Sequence, residues 1–249
     1  MASENTILRR RDIVRIAGGG AALLLPGLSA CGDEDERKIK GLKMKVQDAY
    51  GAKDFHKGLD VAQKGLTLAR KTIGDKAPDT LYFAQAISEN QISLHNFSGA
   101  VRALKQEIAL RSDAGQSEKK LQSRRTRLIL FAEQTGDKAT SIDQTVIIAK
   151  SIDMGPGKDP QPTYQPMPDY PPDLYRAKTE GDVDIAFNLD ADGTPTGARV
   201  KSSTPPNVFD SAALDAFRKW RFTPFIENGE PVASTGHHFT IAFRMNRGQ

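Results

Sequence analysis

Five prolines between Gly155 and Asp169 divide the chain into two stretches with different periodicities. Before them, from Met44 to Ile152, apolar residues recur at helical spacing, whereas after them apolar and polar residues alternate. Because proline removes a backbone donor and favours extended backbone, these five predict a semi-rigid spacer. The fold class is therefore predicted as α+β, with a helical domain at 46–154, a proline-rich linker at 155–169 and a small sheet domain at 170–249.

The amino terminus has the parts of a bacterial export signal. Three arginines precede an apolar stretch of about 16 residues, which is shorter than the ~20 residues that a membrane-spanning helix needs. Leu28-Ser29-Ala30-Cys31 follows and resembles the bacterial lipobox, whose cysteine is acylated and becomes the new amino terminus. We predict that residues 1–30 are removed and that Cys31 attaches the protein to a membrane through lipid.

The sequence leaves two export routes open and favours one of the two membranes. Arg10 and Arg11 begin a sequence that resembles the twin-arginine motif, but general secretory export stays open because basic signals are common to both routes. Gly32, by resemblance to bacterial lipoproteins, favours the outer membrane over the inner one. Residues 31–45 mix acids and bases without apolar periodicity, which predicts a charged tether.

A weak internal repeat runs through the helical stretch. Phe55 and Gly58 recur as Phe97 and Ala100, 42 residues later since 97 − 55 = 42. The spacing resembles the tetratricopeptide repeat in its long-helix form, and a generic array of helical hairpins is the alternative. Either arrangement stacks helices into a surface that typically holds a protein partner. A basic cluster further along predicts a solvated helix face: Lys119, Lys120, Arg124, Arg125 and Arg127.

The sequence after the linker predicts a small antiparallel sheet. Apolar residues occupy every second position from Val183 to Leu189 and again from Phe239 to Phe243, which indicates strands covered on one face. Asp190-Ala-Asp-Gly193 predicts the turn after the first of these strands. The segment from Ala212 to Trp220 has helical spacing, so the predicted order is helix, strand, strand, helix, strand.

This region is similar to the TonB C-terminal domain family over about residues 166–246. The positions that carry the resemblance include Tyr170-Pro171, Glu180-Gly181-Asp182-Val183, Asp192-Gly193, Phe209-Asp210, Lys219-Trp220-Arg221-Phe222 and Asn228-Gly229. Leu174 departs from the family, which usually has alanine there. The resemblance implies two helices packed on a three-stranded antiparallel sheet, and a domain that captures an extended peptide of an outer-membrane protein by strand addition.

The only tryptophan, Trp220, stands between Lys219 and Arg221. A nucleic-acid surface is disfavoured because residues 156–249 contain 10 Lys or Arg against 12 Asp or Glu, so the basic excess that phosphate binding needs is missing. We expect Trp220 to be a structural anchor in the core, with the two flanking cations in solvent.

The last strand is predicted to be the peptide-binding edge. Its outward residues are small or polar, which would leave the backbone accessible to a partner strand. The predicted edge consists of His238, Phe239, Thr240, Ile241, Ala242, Phe243 and Arg244.

The sequence contains no motif for catalysis, for a cofactor or for a metal. His237 and His238 are adjacent on a strand and point to opposite faces. Lys201 stands where a calcium loop that starts at Asp190 would need glutamate. We therefore predict that the protein is not an enzyme and has no cofactor, no metal and no nucleic-acid partner.

The predicted function is that of a lipid-anchored adaptor on the periplasmic side of the bacterial envelope. The last strand would bind an outer-membrane receptor or other envelope protein, and the helical domain would hold a second protein. Two alternatives stay open: an energy transducer for transport across the outer membrane, and a periplasmic scaffold without peptide binding.

Overall fold

The structure is a computed structural model that describes the backbone of residues 27–245 and the side chains of residues 33–245. Arg10, Arg11 and the side chain of Cys31 lie outside the described part. Six helices come first: α1 Gly27–Gly51, α2 Phe55–Thr72, α3 Pro78–Ser93, α4 Phe97–Asp113, α5 Glu118–Thr135 and α6 Lys138–Ser151. The smaller half contains β1 Pro162–Tyr164, α7 Pro172–Arg176, β2 Gly181–Leu189, β3 Pro195–Thr204, α8 Asp210–Phe217, β4 Arg221–Phe222, β5 Phe225–Glu227, β6 Glu230–Val232 and β7 Ser234–Phe243.

The predicted helical array is confirmed, since each of the six helices packs on the next. Helices α2, α4 and α6 begin in the same way: Asp54, Asn96 and Asp137 each accept a hydrogen bond from the backbone N–H three residues later. The caps are spaced almost evenly, since 96 − 54 = 42 and 137 − 96 = 41. Such a cap stabilises a helix by about 1 kcal/mol. Gly58 of α2 lies directly against the side chain of Asn90 of α3, where a Cβ would not fit.

Residues 31–45 differ from the charged tether that the sequence predicted, because they lie within α1. This helix packs on α2 through Ile39 and Val46, which are both buried in the same apolar cluster. The charges occupy the opposite side of the helix, where Lys38 pairs with Glu34 one turn away. The buried positions are too few and too widely spaced among the charges to show as a periodic pattern in the sequence.

The basic cluster of α5 also differs from the solvated face that was predicted. Three of its side chains form ion pairs within the helical half: Arg124 with Glu107, Arg125 with Glu118, and Arg127 with Glu89. Lys119 and Lys120 are exposed. Arg124 and Arg127 therefore link α5 to α4 and α3, and the three paired arginines leave little positive charge for an acidic partner.

The smaller half has the predicted architecture of helices on a three-stranded antiparallel sheet. The strand order is β3-β2-β7, so the first strand of the sheet along the chain is the central one. Its apolar residues Val183, Ile185, Phe187 and Leu189 are all buried and form one cluster with residues of α8 and β7. The turn from Asp190 to Gly193 joins β2 to β3, as the sequence predicted.

Trp220 lies in the centre of this cluster, with 1% of its surface exposed. Its ring is 5.1 Å from that of Phe217 at the end of α8 and 5.0 Å from that of Phe239 on β7. Its Nε1 donates a hydrogen bond of 3.0 Å to the carbonyl of Pro166. The tryptophan therefore joins the helix, the last strand and the proline-rich segment.

The proline-rich segment does not form a free spacer. Its strand β1 pairs antiparallel with β4, and Gln161 exchanges two hydrogen bonds of 2.8 and 2.9 Å with Thr223. On its other side, Thr163 lies against Thr145 of α6, with 3.2 Å between the two hydroxyl oxygens. Proline content predicted the extended backbone, but the long-range pairing that fixes this backbone has no local signal in the sequence.

Arg221 differs from the prediction that it lies in solvent. Only 7% of the residue is exposed, and its Nε donates to Oε1 of Glu133 on α5 at 2.8 Å. A second guanidinium nitrogen donates to the hydroxyl of Thr194 at 2.7 Å, and Glu133 also accepts from Ser141 at 2.6 Å. A buried, hydrogen-bonded ion pair therefore connects the two halves of the protein.

We expect Trp220→Ala to lower the free energy of unfolding by about 3–5 kcal/mol, because it empties the centre of the core. Met167→Ala is the matched control, since Met167 is exposed and should cost less than about 0.5 kcal/mol. Urea unfolding followed by circular dichroism measures both variants. Equal losses in the two variants would show that the tryptophan does not carry the core.

We expect Glu133→Ala to cost about 3–5 kcal/mol, because Arg221 would keep a buried charge without its partner. In a double-mutant cycle, Arg221→Ala combined with Glu133→Ala should cost less than the sum of the single changes. The control pair is Arg218 and Asp215, which is exposed and should show a coupling of at most about 1 kcal/mol. A coupling for the buried pair no larger than that of the control would contradict the contact.

Candidate functional site

The candidate site is the outer edge of β7. This strand pairs with β2 on one side, and no other strand within residues 27–245 pairs with its second side. The register is regular from Gly181 opposite Phe243 to Phe187 opposite His237. An edge strand of this kind presents a row of unpaired backbone N–H and C=O groups to an incoming strand.

A bulge limits the regular part of this edge. Between Phe187 and Leu189 the partner strand advances by three residues instead of two, from His237 to Ser234. Gly236 adopts a positive φ of 81° in this bulge, and the side chain of Asn188 accepts its N–H at 3.1 Å. Seven consecutive residues, 237–243, therefore remain in regular register, which corresponds to about 23 Å at ~3.3 Å per residue.

The opposite edge of the sheet is interrupted more often. Strand β3 shifts its register against β2 at two places, between Asp184 and Ile185 and between Ala186 and Asn188. Lys201 and Gly197 lie at these irregularities on the β3 side. Bulges twist an edge and leave residues out of the ladder, which protects the edge from further pairing. The sheet therefore offers one regular edge, on β7.

The side chains of β7 alternate between the core and the solvent. Ile241 and Phe243 are buried, whereas Thr240 and Ala242 are exposed. The predicted edge residues are thus brought together on one strand, except for Arg244. That residue follows the strand, and its guanidinium donates to the carbonyl of Gly181 at 2.7 Å, which ties the end of β7 to β2.

His237 marks the start of the regular edge. Its ring lies 5.5 Å from that of Phe187 and 5.4 Å from that of Phe225, and Nε2 is 2.7 Å from the hydroxyl of Ser234. Burial lowers the pKa of His237, so the ring is neutral at neutral pH. His238 is exposed, and the two rings do not face a common site.

Other kinds of site have little support in the part of the chain that is described. Residues 33–245, whose side chains are described, contain no group of three or more His, Cys, Asp or Glu side chains that is placed to hold a metal ion. In the same range, no helix combines the length and the apolar character needed to cross a membrane. The turn from Asp190 to Gly193 is closed by its own hydrogen bonds, including one of 2.8 Å from the N–H of Thr194 to Asp192.

Sequence reasoning missed two features of the smaller half. The bulges that interrupt the edge of β3 depend on its register with β2. Their only local signal in the sequence is the glycine at position 197, which has a positive φ of 57°. The docking of Arg221 on Glu133 joins residues 88 positions apart, and no pattern near either residue indicates it.

Comparison with known proteins agrees with this geometry. Residues 166–245 match the family described as Gram-negative bacterial TonB protein C-terminal. Protein TonB of Xanthomonas campestris pv. campestris (strain B100) is 39% identical over 66 residues, which are 26% of this chain and 30% of the relative. Protein TonB of Klebsiella aerogenes is 37% identical over 79 residues, or 32% of this chain and 30% of the relative. The chain thus spans about 30% of the length of these curated relatives.

A solved structure of a TonB C-terminal domain is also similar to part of this chain. The solution structure of the Pseudomonas aeruginosa TonB CTD is 28% identical, covers 38% of this chain and 94% of its own chain, and has a TM-score of 0.32. The family match, the residues that carry it and the observed sheet coincide in the smaller half of the protein. Residues 166–245 therefore form a TonB C-terminal domain.

Proposed function

We propose that this protein is a lipid-anchored envelope adaptor that captures extended peptide segments of outer-membrane transport proteins on β7. The observation that carries the proposal is the seven-residue regular edge of β7, the one edge of the sheet without interruption over that length. Backbone hydrogen bonds would supply most of the affinity, and the exposed side chains would add little. The repeated caps of α2, α4 and α6 favour a repeat-type helical half that holds a second protein.

The location that goes with this function is the periplasmic side of the cell envelope. The export signal and the lipobox resemblance around Cys31 support a lipid anchor, and Gly32 favours the outer membrane. A membrane-bound protein with a free strand edge is placed to meet envelope proteins whose segments extend into the periplasm. The alignments cover only about 30% of the curated relatives, so an energy-transducing role does not follow from them.

We expect Cys31 to incorporate palmitate and Cys31→Ala to lose it. Cells that produce either form are grown with radiolabelled palmitate, and the protein is recovered and counted. Ser29→Ala is the control, since it keeps a small residue before the cysteine and should keep the label. Equal labelling of the wild type and Cys31→Ala, or labelling of neither, would contradict the lipid anchor.

We expect Thr240→Pro to weaken peptide capture about tenfold or more, because proline removes a donor and adds bulk at the middle of the edge. Thr240→Ala should bind as the wild type does. The partners are overlapping peptides from outer-membrane receptor proteins, titrated against variants whose circular dichroism shows a native fold. Lys201→Pro is the matched control, since it places proline at a bulge of the opposite edge, where it should not change capture.

Hydrogen–deuterium exchange on the wild type tests the same edge without any substitution. A bound peptide should slow the exchange of amides in residues 237–243 and leave those of β3 unchanged. Capture that persists in a folded Thr240→Pro variant, or protection that appears on β3 only, would place the peptide elsewhere. No capture of any receptor peptide would favour a scaffold without peptide binding.

A further inference from the structure

Two neighbouring hollows are separated by one ion pair. One lies within the helical half, and the other lies between this half and the proline-rich segment. The first has a volume of about 410 Å³ and lies between α1 and α3, and Glu89 of α3 lines it. The second has a volume of about 420 Å³ and lies between α5 and the proline-rich segment, and Arg127 of α5 lines it. Arg127 bonds Glu89 through two nitrogens at 2.5 and 2.8 Å, so the two hollows meet at this pair. We call the combined surface the α1–α3–α5 groove.

One wall of the groove is an extended, proline-bearing stretch of the protein itself. Residues 162–166 face α5 across the second hollow, where Leu130 is exposed. The stretch is held in place by the pairing of β1 with β4 and by the bond from Trp220 to the carbonyl of Pro166. The surface of α5 thus already accommodates one extended chain with prolines at two of five positions.

Aromatic rings and side-chain amides are both present in the lining. Tyr50 is 52% exposed and is held edge-on to Phe55 at 5.7 Å, while Tyr82 lines the same hollow from α3. Tyr164 lines the second hollow. The amides are those of Gln47, Gln85, Asn90, Gln134 and Gln165. Tyrosine-lined grooves suit the flat faces of proline rings in an extended polyproline II chain, and amides can bond the backbone carbonyls of such a chain.

The charges of the groove favour a ligand with little net charge. Glu89 and Arg127 neutralise each other in a bidentate pair at the junction. Lys43, which lies over the ring of Tyr82, is paired with Asp79 at 2.5 Å. A strongly acidic or strongly basic peptide would therefore find no unpaired opposite charge among the ionised residues that line the two hollows.

We propose that the α1–α3–α5 groove binds an extended, proline-rich peptide segment of low net charge from a partner protein. The proposal rests on the proposed function in so far as the helical half holds a second protein, and it names the chemistry of that protein. No residue of β7 lines the groove, so a single substitution in one site should leave binding at the other unchanged. The proline-rich wall makes the groove a joint product of both halves of the chain.

Fluorescence anisotropy with labelled decaproline tests the proposal on the mature chain, residues 31–249. We expect decaproline to bind about tenfold more tightly than a glycine–serine peptide of equal length, and more tightly than decaglutamate or decalysine. Tyr50→Ala should weaken decaproline binding about tenfold, since it removes the most exposed ring of the lining. Tyr175→Ala is the control, because Tyr175 is exposed on the other half of the protein and should leave binding unchanged.

Each outcome decides for or against the groove. Preference for a charged peptide, equal binding of the glycine–serine peptide, or full binding by a folded Tyr50→Ala variant would overturn the proposal. Thr240→Pro should leave decaproline binding intact, and Tyr50→Ala should leave receptor-peptide capture intact. Loss of one activity without the other therefore separates a failure of the groove from a failure of the β7 edge.

Discussion

Arg221 and Glu133 form a buried ion pair between the two halves, with side chains that are only 9% and 10% exposed. Together with the contact between Thr163 and Thr145, it holds the smaller half on the helices. The smaller half also contains an arginine–carboxylate pair that is exposed to solvent, Arg218 with Asp215. An exposed pair contributes at most about 1 kcal/mol, whereas removal of one partner from a buried pair costs several times more. Arg221 follows Trp220 directly, so one short segment contributes both to the core of the smaller half and to its contact with the helices.

The elements that sequence reasoning predicted correctly are those whose signal is local. The alternation from Val183 to Leu189 predicted a strand, and the two residues related by the 42-residue spacing, Phe55 and Phe97, are the first residues of α2 and α4. Two of the failures concern interactions between distant residues. Arg221 follows two other basic residues, which predicts a cation in solvent. Its burial is favourable because Glu133, which is distant in sequence, accepts a hydrogen bond from it. The proline-rich segment has the composition of a spacer, and only its pairing with β4 shows otherwise.

The candidate site could be predicted as a strand but not as an edge of defined length. Alternating apolar residues from Phe239 to Phe243 indicate which side chains enter the core, and they say nothing about which backbone groups stay unpaired. That property is decided by register: β7 keeps its pairing over seven residues, whereas β3 loses it twice. Glycines at 236 and 197 mark two of the bulges, but glycine is also common in ordinary turns, so the sequence alone does not distinguish the two strands.

The early start of α1 has a consequence for any protein held at a membrane by residue 31. Residue 31 already lies within α1, which continues to Gly51, so about 31 Å of helix at ~1.5 Å per residue follows the point of attachment before the chain first turns. The proline-rich segment between the two halves is also held in place, by the pairing of β1 with β4. Residues 31–245 therefore contain no long flexible linker between residue 31 and the edge of β7. If Cys31 carries a lipid, the two halves would stay close to the membrane surface, where their effective concentration toward envelope proteins would be high. Partners would then be selected by the height at which they present a segment as well as by its sequence.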